Sequence, residues 1–204
     1  VVNALSEWLE VNVHQNGHEF FLRFEDGGKA TGPLKIINDS EKHGSIVRFK
    51  ADPEIFQETQ EYDFDTLNAR IRQLAFLNKS IRLVLCDERE AEPKRIEYKY
   101  DGGIRQYVEY LNKNKTPLHE EVVYVEGIED GILAEIAMQY NDGYIPSIYS
   151  FCNNINTMEG GTHEDGFRLA LTRIINAYAR EQGMIKKDET LAGDDVREGL
   201  TAII

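Results

Sequence analysis

The stretch INTMEGGTHEDGFR, residues 155–168, joins a glycine-rich loop to the start of a long amphipathic segment. Apolar residues recur in that segment at the spacing of one helix face. The stripe comprises Phe167, Leu171, Ile174 and Tyr178. This spacing predicts a helix over about 163–182 whose apolar face is buried against a sheet.

The glycine-rich loop has three candidate roles. Thr162 with Asp165 three residues later resembles a capping box, which predicts that Thr162 caps the helix. A phosphate cradle is disfavoured because neither GxxxxGK[ST] nor GxGxxG is present and the stretch is rich in acids. A metal site is disfavoured because His163, Glu164 and Asp165 are adjacent and diverge by roughly 100° each on a helix. The structural cap is the favoured interpretation, and no metal site is predicted.

Composition limits the possible functions. The chain has 204 residues, of which 41% are hydrophobic and 29% charged, as in ordinary globular proteins, and it contains no long apolar run that predicts a membrane segment. Its formal net charge of -13 argues against a dedicated nucleic-acid surface, so any contact with phosphates must be local. Cys86 and Cys152 lie in apolar strand-like stretches without CxxC spacing, which predicts buried reduced thiols and a cytoplasmic protein.

Both ends of the sequence suggest a piece of a longer protein. Val1, Val2 and Leu5 follow helical spacing with no N-cap before them. Residues 200–204, LTAII, stop on an apolar strand-like run with no turn after it. We therefore expect further chain on both sides.

Strand and helix patterns alternate before residue 100. Asn16-Gly17 predicts a hairpin turn, because both residues tolerate positive φ. Asp63 and Asp65 are the candidate N-caps of the helix in this half. The predicted elements are a hairpin over 8–25, a strand over 45–52, a helix over about 65–78, and the strands IRLVLCDE and RIEYKY.

Asp101-Gly102-Gly103 interrupts the pattern and predicts a domain boundary near residue 100. The second half repeats a mixture of strands and helices, so the fold class is α+β. Asp194 or Asp195 is the candidate cap of a short helix at DDVREGL. The predicted elements are a helix with Ile104, Tyr107, Val108 and Leu111 on one face, strands at VVYVEG, LAEIAMQY and SIYSFC, the long helix, and the DDVREGL helix.

Residue patterns alone identify no catalytic constellation, but several blocks carry a resemblance. They are VVNALSEWLEV, LAFLNKSIRLVLCDER, YDGGIRQYVEYLNKNKTPLHEE, AMQYNDGY, NNINTMEGGTHEDGF and GDDVREGLTAII. Together they resemble the B subunits of bacterial DNA gyrase nearly end to end. The equivalent subunit of topoisomerase IV, a decatenating enzyme, shares many of these blocks and is the alternative. An acidic interaction module without catalysis is a third interpretation.

The resemblance implies a domain plan and an activity. Residues 1–100 would be the C-terminal part of a Bergerat (GHKL) ATP-binding domain, and residues 101–204 a truncated transducer domain like the second domain of ribosomal protein S5. The intact subunit would use ATP and Mg²⁺, dimerise when ATP binds, and work with the gyrase A subunit to drive DNA strand passage and negative supercoiling. The family's catalytic glutamate, magnesium-holding asparagine and switch lysine fall outside this chain. The chain alone is therefore expected to be inactive, without a catalytic residue and without tight cofactor binding.

The resemblance also implies five site residues. Ser45 and Val47 correspond to the adenine-side wall of the ATP pocket, and Gln15 stands at the rim where many relatives carry an inhibitor-contacting arginine. Arg168 and Arg173 correspond to residues lining the cavity that receives the transported duplex. Helical spacing places Arg173 opposite the apolar stripe and Arg168 at its flank, which is equally typical of a solvated helix face.

Overall fold

Asn16 and Gly17 turn the chain between two long antiparallel strands, which confirms the predicted hairpin. Their φ angles are 53° and 83°, the left-handed region that asparagine and glycine tolerate best. The sheet contains β1 Ser6–Gln15, β2 His18–Glu25, β3 Lys29–Ala30, β4 Lys35–Asp39 and β5 Gly44–Ala51. The strands run in the order β3-β2-β1-β5, with β4 also paired to β2.

This sheet forms the first of two compact units in the computed structural model, which describes residues 1–204. The units are Val1–Asp63 and Phe64–Ile204. Only a short 3₁₀ turn, Asn3–Leu5, precedes β1, so the helical spacing at the N-terminus does not extend into a helix.

The two faces of the first sheet differ in chemistry. Val11 lies opposite Val47, and Leu9 lies opposite Phe49, on an apolar face. Val47 and Phe49 are 55% and 45% exposed, because no helix of this unit covers them. The opposite face carries polar clusters, such as Arg23 between Glu10 and Glu25.

The second unit is built from a four-stranded sheet between helices. Its elements are α1 Phe64–Leu77, β6 Leu83–Asp87, β7 Lys94–Tyr98, α2 Ile104–Asn112, β8 Val123–Glu129, β9 Ile132–Tyr140, β10 Ser147–Tyr149, β11 Phe151–Cys152, β12 Ile155–Asn156, α3 Thr162–Glu181, α4 Gly193–Arg197 and β13 Leu200–Ile203. The main sheet has the order β10-β13-β9-β8, and β6-β7 and β11-β12 form separate ribbons.

Residues of β13 face both hydrophobic cores of this unit. Ile203 joins the core formed by α1 and α2, where Phe76 stacks on Tyr107 at 4.8 Å between ring centroids. Leu200 and Ala202 join the other core, on the α3 side. Because alternate strand residues point to opposite faces, one short strand stabilises both layers.

The compact units do not divide where the glycine pair at 102–103 suggested. The division falls between Asp63 and Phe64, because α1 and the β6-β7 ribbon pack within the second unit. The assignment of residues 1–100 to one domain and 101–204 to another stays a prediction. No helix of the protein combines the length and apolarity needed to span a bilayer.

Three local predictions were wrong. Helix α3 begins at Thr162 with Gly161 as its N-cap, so the Thr162 side chain does not cap the helix. The N-cap of α4 is Ala192, whose N–H donates to Asp195 Oδ2 at 3.1 Å, so neither aspartate is the cap. Cys86 and Cys152 are exposed, because each lies on a two-stranded ribbon outside the main sheet.

Candidate functional site

A groove of about 770 Å³ runs along α3 toward α4 and is rich in arginine. The arginines that line it are Arg168, Arg173, Arg180 and Arg197. Asp165 is the one acidic residue in its lining. In a chain of net charge -13 this is a local concentration of positive charge, which suits an anionic ligand.

The groove arginines differ in how they are held. Arg180 donates to Glu189 O and Thr190 Oγ1, at 3.0 and 2.9 Å. Arg197 donates to Asp194 Oδ1 at 2.8 Å, although Asp194 is 99% exposed. Arg173 is exposed and has no side-chain hydrogen bond or ion pair. It is therefore the freest cation of the groove.

The buried face of α3 differs in part from the predicted one. Phe167 and Leu171 are buried as predicted, but Ile174 and Tyr178 are 60% and 55% exposed, so that half of the predicted stripe was wrong. Asn176 is buried instead. Its side chain accepts Leu191 N–H at 2.8 Å and donates to Leu191 O at 3.1 Å. The buried residues of α3 are therefore Phe167, Leu171, Asn176 and Ala179, and the helix contacts the segment before α4 through Asn176.

Arg168 is held by a network that reaches the sheet. Glu164 Oε1 accepts from Arg168 Nε and Nη2 at 2.9 and 2.6 Å, and Ser150 Oγ donates to Glu164 Oε2 at 2.6 Å. Burial alone would raise the pKa of Glu164, but hydrogen bonds from Ser150 and Arg168 outweigh it, so the pKa lies below its ordinary value. Glu164 is therefore ionised at neutral pH.

The residues assigned to a nucleotide pocket share one face of the first sheet. Ser45 lies opposite Val13, and Val47 lies opposite Val11, on β1. Gln15 is exposed, two residues beyond Val13 at the end of β1. The fold thus brings Gln15, Ser45 and Val47 to the same side, but they form an exposed wall rather than an enclosed cavity.

The chain provides no set of side chains suited to a metal ion. No group of three or more His, Cys, Asp and Glu residues is arranged to hold one. We therefore assign no Mg²⁺ ligand to these residues and derive no chemical step through the metal.

Sequence reasoning missed Arg197 and the Ser150–Glu164 contact. Arg197 belongs to the groove only because α4 returns to α3 after the connection following Glu181. In the sequence Glu164 is a candidate metal ligand or an acidic loop residue. It lies four residues before Arg168, a spacing that on a helix indicates an ion pair. Nothing in the sequence indicates that Ser150 contacts Glu164.

Solved structures with the same fold define the class of protein. The 43K ATPase domain of Thermus thermophilus gyrase B, in complex with an aminocoumarin, matches 98% of this chain and 55% of that chain, with a TM-score of 0.83 and 32% identity. The gyrase B protein of Myxococcus xanthus matches with a TM-score of 0.79 and 28% identity, over 98% of this chain and 56% of that one. The predicted α+β class, with the fold of a gyrase B (GHKL) ATPase region, is confirmed. The chain therefore has the fold of the ATPase region of gyrase B proteins.

The sequence comparisons are more specific. The family model described as DNA gyrase B matches residues 103–204. The DNA gyrase B protein of Bacillus cereus is 57% identical over 100% of this chain, and that of Staphylococcus epidermidis is 52% identical. The chain covers 50% of the first protein and 32% of the second. The chain belongs to the DNA gyrase B family.

Proposed function

We propose that this chain is part of the ATP-binding and transducer region of a DNA gyrase B protein. In the full-length protein it couples ATP binding and hydrolysis, with Mg²⁺, to DNA strand passage and negative supercoiling. The partners are a second copy of gyrase B, the gyrase A protein and DNA, in the cytoplasm. The match to gyrase B proteins along the whole chain supports gyrase over topoisomerase IV.

The arginine groove is the observation that carries the DNA side of this proposal. Arg168 and Arg173 contact phosphates of the duplex as it passes, with Arg180 and Arg197 in the same groove. Guanidinium groups suit this role because their forked donors match phosphate oxygens. The acidic remainder of the chain keeps contact local, so the duplex is guided without being trapped.

Substitution in the full-length protein tests this role. Arg173→Gln and Arg168→Gln should reduce DNA-stimulated ATP hydrolysis and plasmid supercoiling, and leave DNA-independent ATP hydrolysis near the wild-type rate. Arg95→Gln is the matched control, because Arg95 is an exposed arginine on β7 outside the groove. If DNA stimulates ATP hydrolysis to the wild-type level in both variants, at low and at high salt, Arg168 and Arg173 do not contact DNA and only form a solvent-exposed face of α3.

The nucleotide side of the proposal rests on Ser45, Val47 and Gln15. The Ser45 hydroxyl holds a water between the protein and adenine, Val47 supplies apolar wall, and Gln15 stands at the rim. Ser45→Ala in the full-length protein should weaken ATP binding by about 1 kcal/mol, the usual worth of one hydrogen bond. If Ser45→Ala leaves the affinity for ATP unchanged, Ser45 does not contribute to nucleotide binding and is only an exposed residue of β5.

This chain by itself is proposed to be inactive. Phosphoryl transfer needs positioned charges around the phosphates, and the groups that the family uses for this lie outside residues 1–204. Purified chain should show no magnesium-dependent ATP hydrolysis above background and only weak nucleotide binding. Measured turnover that follows the chain through purification would contradict this.

A further inference from the structure

Arg168 differs from the other groove arginines because its carboxylate partner is itself anchored. Glu164 is 13% exposed and bonds to Arg168 through Oε1 and to Ser150 through Oε2. Asp194, the partner of Arg197, is 99% exposed and hydrogen-bonds to nothing else. An exposed ion pair of that kind rearranges easily. In Glu164, by contrast, each carboxylate oxygen already accepts a hydrogen bond, one from Arg168 and the other from Ser150.

Ser150 is a rigid anchor for this pair. It is 2% exposed, and the residues on either side of it are bonded to the end of the neighbouring strand. Phe151 N–H donates to Ile204 O at 2.9 Å, and Ile204 N–H donates to Tyr149 O at 3.0 Å. If Arg168 moved, Glu164 could therefore not move with it without losing its hydrogen bond to Ser150, which directly follows β10.

The geometry leaves a defined part of the guanidinium free. Glu164 occupies Arg168 Nε and one side of Nη2, and no group in the chain accepts from Nη1. Because guanidinium is planar, fixing the Nε–Nη2 edge also fixes the direction of the remaining N–H groups. The side chain is 34% exposed and lines the groove. The free donors can therefore meet a phosphate, while the ion pair itself carries little net charge.

We propose that Glu164 is a positioning residue for Arg168 and limits the strength of its phosphate contact. The carboxylate, held by Ser150, fixes the direction of the guanidinium and offsets its charge. Arg168 then gives a directional but weak contact, while Arg173 gives an undirected cationic one. This inference rests on the proposed contact between the groove and DNA.

The first test separates charge from structure in the full-length protein. Glu164→Gln keeps the size of the side chain and groups that can bond to Ser150 and Arg168, but removes the charge. The DNA concentration that half-saturates ATPase stimulation should fall about threefold at low salt. The slope of its logarithm against the logarithm of salt concentration should steepen by up to about 0.9, the value of one added phosphate contact.

Glu159→Gln is the matched control, since Glu159 is exposed in the same loop and lines the cavity next to Arg168 without bonding to it. It removes the same charge but should change the salt slope less. The inference is overturned if Glu164→Gln and Glu159→Gln give the same slope. The thermal unfolding temperature of each variant shows whether it is folded. If Glu164 had only a structural role, Glu164→Gln would lower the unfolding temperature without changing the salt slope.

A second variant tests whether Glu164 positions Arg168, and it can be used even if Glu164→Gln fails to fold. Ser150→Ala removes the anchor but keeps both charges. Half-saturation should then need about threefold more DNA, with an unchanged salt slope, because the guanidinium is less well directed. Wild-type half-saturation in Ser150→Ala would overturn the positioning role.

Arg168→Gln distinguishes failure of this inference from failure of the proposed function. If Arg168→Gln lowers DNA-stimulated ATP hydrolysis but Glu164→Gln behaves like Glu159→Gln, only the positioning role of Glu164 is wrong. If Arg168→Gln has no effect, the proposed contact between Arg168 and DNA is wrong, and so is the role of Glu164. In the combined variant Glu164→Gln with Arg168→Gln, the steeper salt slope should be absent.

Discussion

The sheets of the two units are built from similar strands but covered differently. Within Val1–Asp63 no α-helix covers the apolar face of the sheet, and Val47 and Phe49 remain about half exposed. In Phe64–Ile204 helices pack on both sides of β13, and its residues Leu200, Ala202 and Ile203 have no exposed surface. The pattern of residues in a β-strand thus fixes which face of the sheet is apolar, whereas the elements packed around the sheet fix whether that face is buried.

The difference also separates the two candidate sites. The residues assigned to nucleotide contact lie on the uncovered face of the first unit, so they form a wall without a pocket. The arginine groove lies on helices that are themselves packed on a sheet, so its side chains have fixed supports such as Ser150. Rigid support favours positioned contacts, and in the second unit Ser150 and Glu164 supply such support to Arg168.

The largest expected effect comes from emptying the core of the second unit. Phe76 is 2% exposed and stacks against Tyr100 and Tyr107. Phe76→Ala should lower the free energy of unfolding of the chain by about 3–5 kcal/mol. Phe49→Ala, on the half-exposed face of the first unit, should cost about 1 kcal/mol. Urea unfolding measures both, and equal costs would refute the contrast in burial.

A buried polar network should show the next largest effect. Thr201 is fully buried, donates to Asn112 Oδ1 at 2.6 Å and accepts from Asn141 Nδ2 at 3.2 Å. Thr201→Val should cost about 1–3 kcal/mol, because it removes the hydroxyl from buried partners. The control is Thr31→Val in the first unit, where an exposed hydroxyl donates to Arg23 O and water can replace it. Urea unfolding in which the two variants cost the same would contradict this.

Acid should destabilise the second unit before the first. Carboxyl pKa values below their ordinary range are concentrated in the second unit, and hydrogen bonds from the Arg89 side chain and backbone lower the pKa of Asp87 to about 2. In the first unit only Glu19 shows such a lowering of its pKa, through hydrogen bonds from Asn38 and Asn12. A carboxyl with a lowered folded pKa stabilises the fold above its unfolded pKa, near about 4, and loses this contribution as pH falls through the folded value.

Two spectroscopic probes follow this loss separately. Trp8 is the single tryptophan, in the first unit, whereas nearly all tyrosines lie in the second. Between about pH 5 and pH 2, the urea midpoint from tyrosine near-ultraviolet circular dichroism should fall more than that from Trp8 fluorescence. Asp87→Asn should flatten the tyrosine profile. If the urea midpoint from Trp8 fluorescence fell more steeply with pH, the first unit rather than the second would be the more acid-sensitive one.

Exposed ion pairs should give the smallest effects and should not distinguish the units. Lys50 pairs with Glu7 at 2.6 Å in the first unit, and Arg82 pairs with Glu97 at 2.6 Å in the second. Lys50→Met and Arg82→Met should each leave the free energy of unfolding nearly unchanged, because solvent screens both pairs. A clear fall in the urea midpoint for either variant would show that its pair is more than a surface contact.

Local signals in the sequence were sufficient for most elements. The Asn16-Gly17 turn, the helices at α1, α2 and α3, and the main strands follow from positive-φ residues and apolar spacing, which act over a few neighbours. Boundaries and caps were less predictable. Gly161 rather than Thr162 is the N-cap of α3, although Thr162 has the more typical capping side chain. The buried face of α3 depended on Asn176 meeting Leu191, a contact that no local pattern encodes.

The α+β class, the hairpin and the helices follow from local patterns in the amino-acid sequence, and the family resemblance follows from its long specific blocks. The sequence also placed Arg168 and Arg173 on one helix, because helical periodicity is a local property. Two further features depend on the three-dimensional packing: Arg197 joins their groove, and Ser150 holds Glu164 against Arg168. Those contacts join residues from separate elements, and their geometry is set by how sheet and helices pack rather than by any residue's neighbours in the chain.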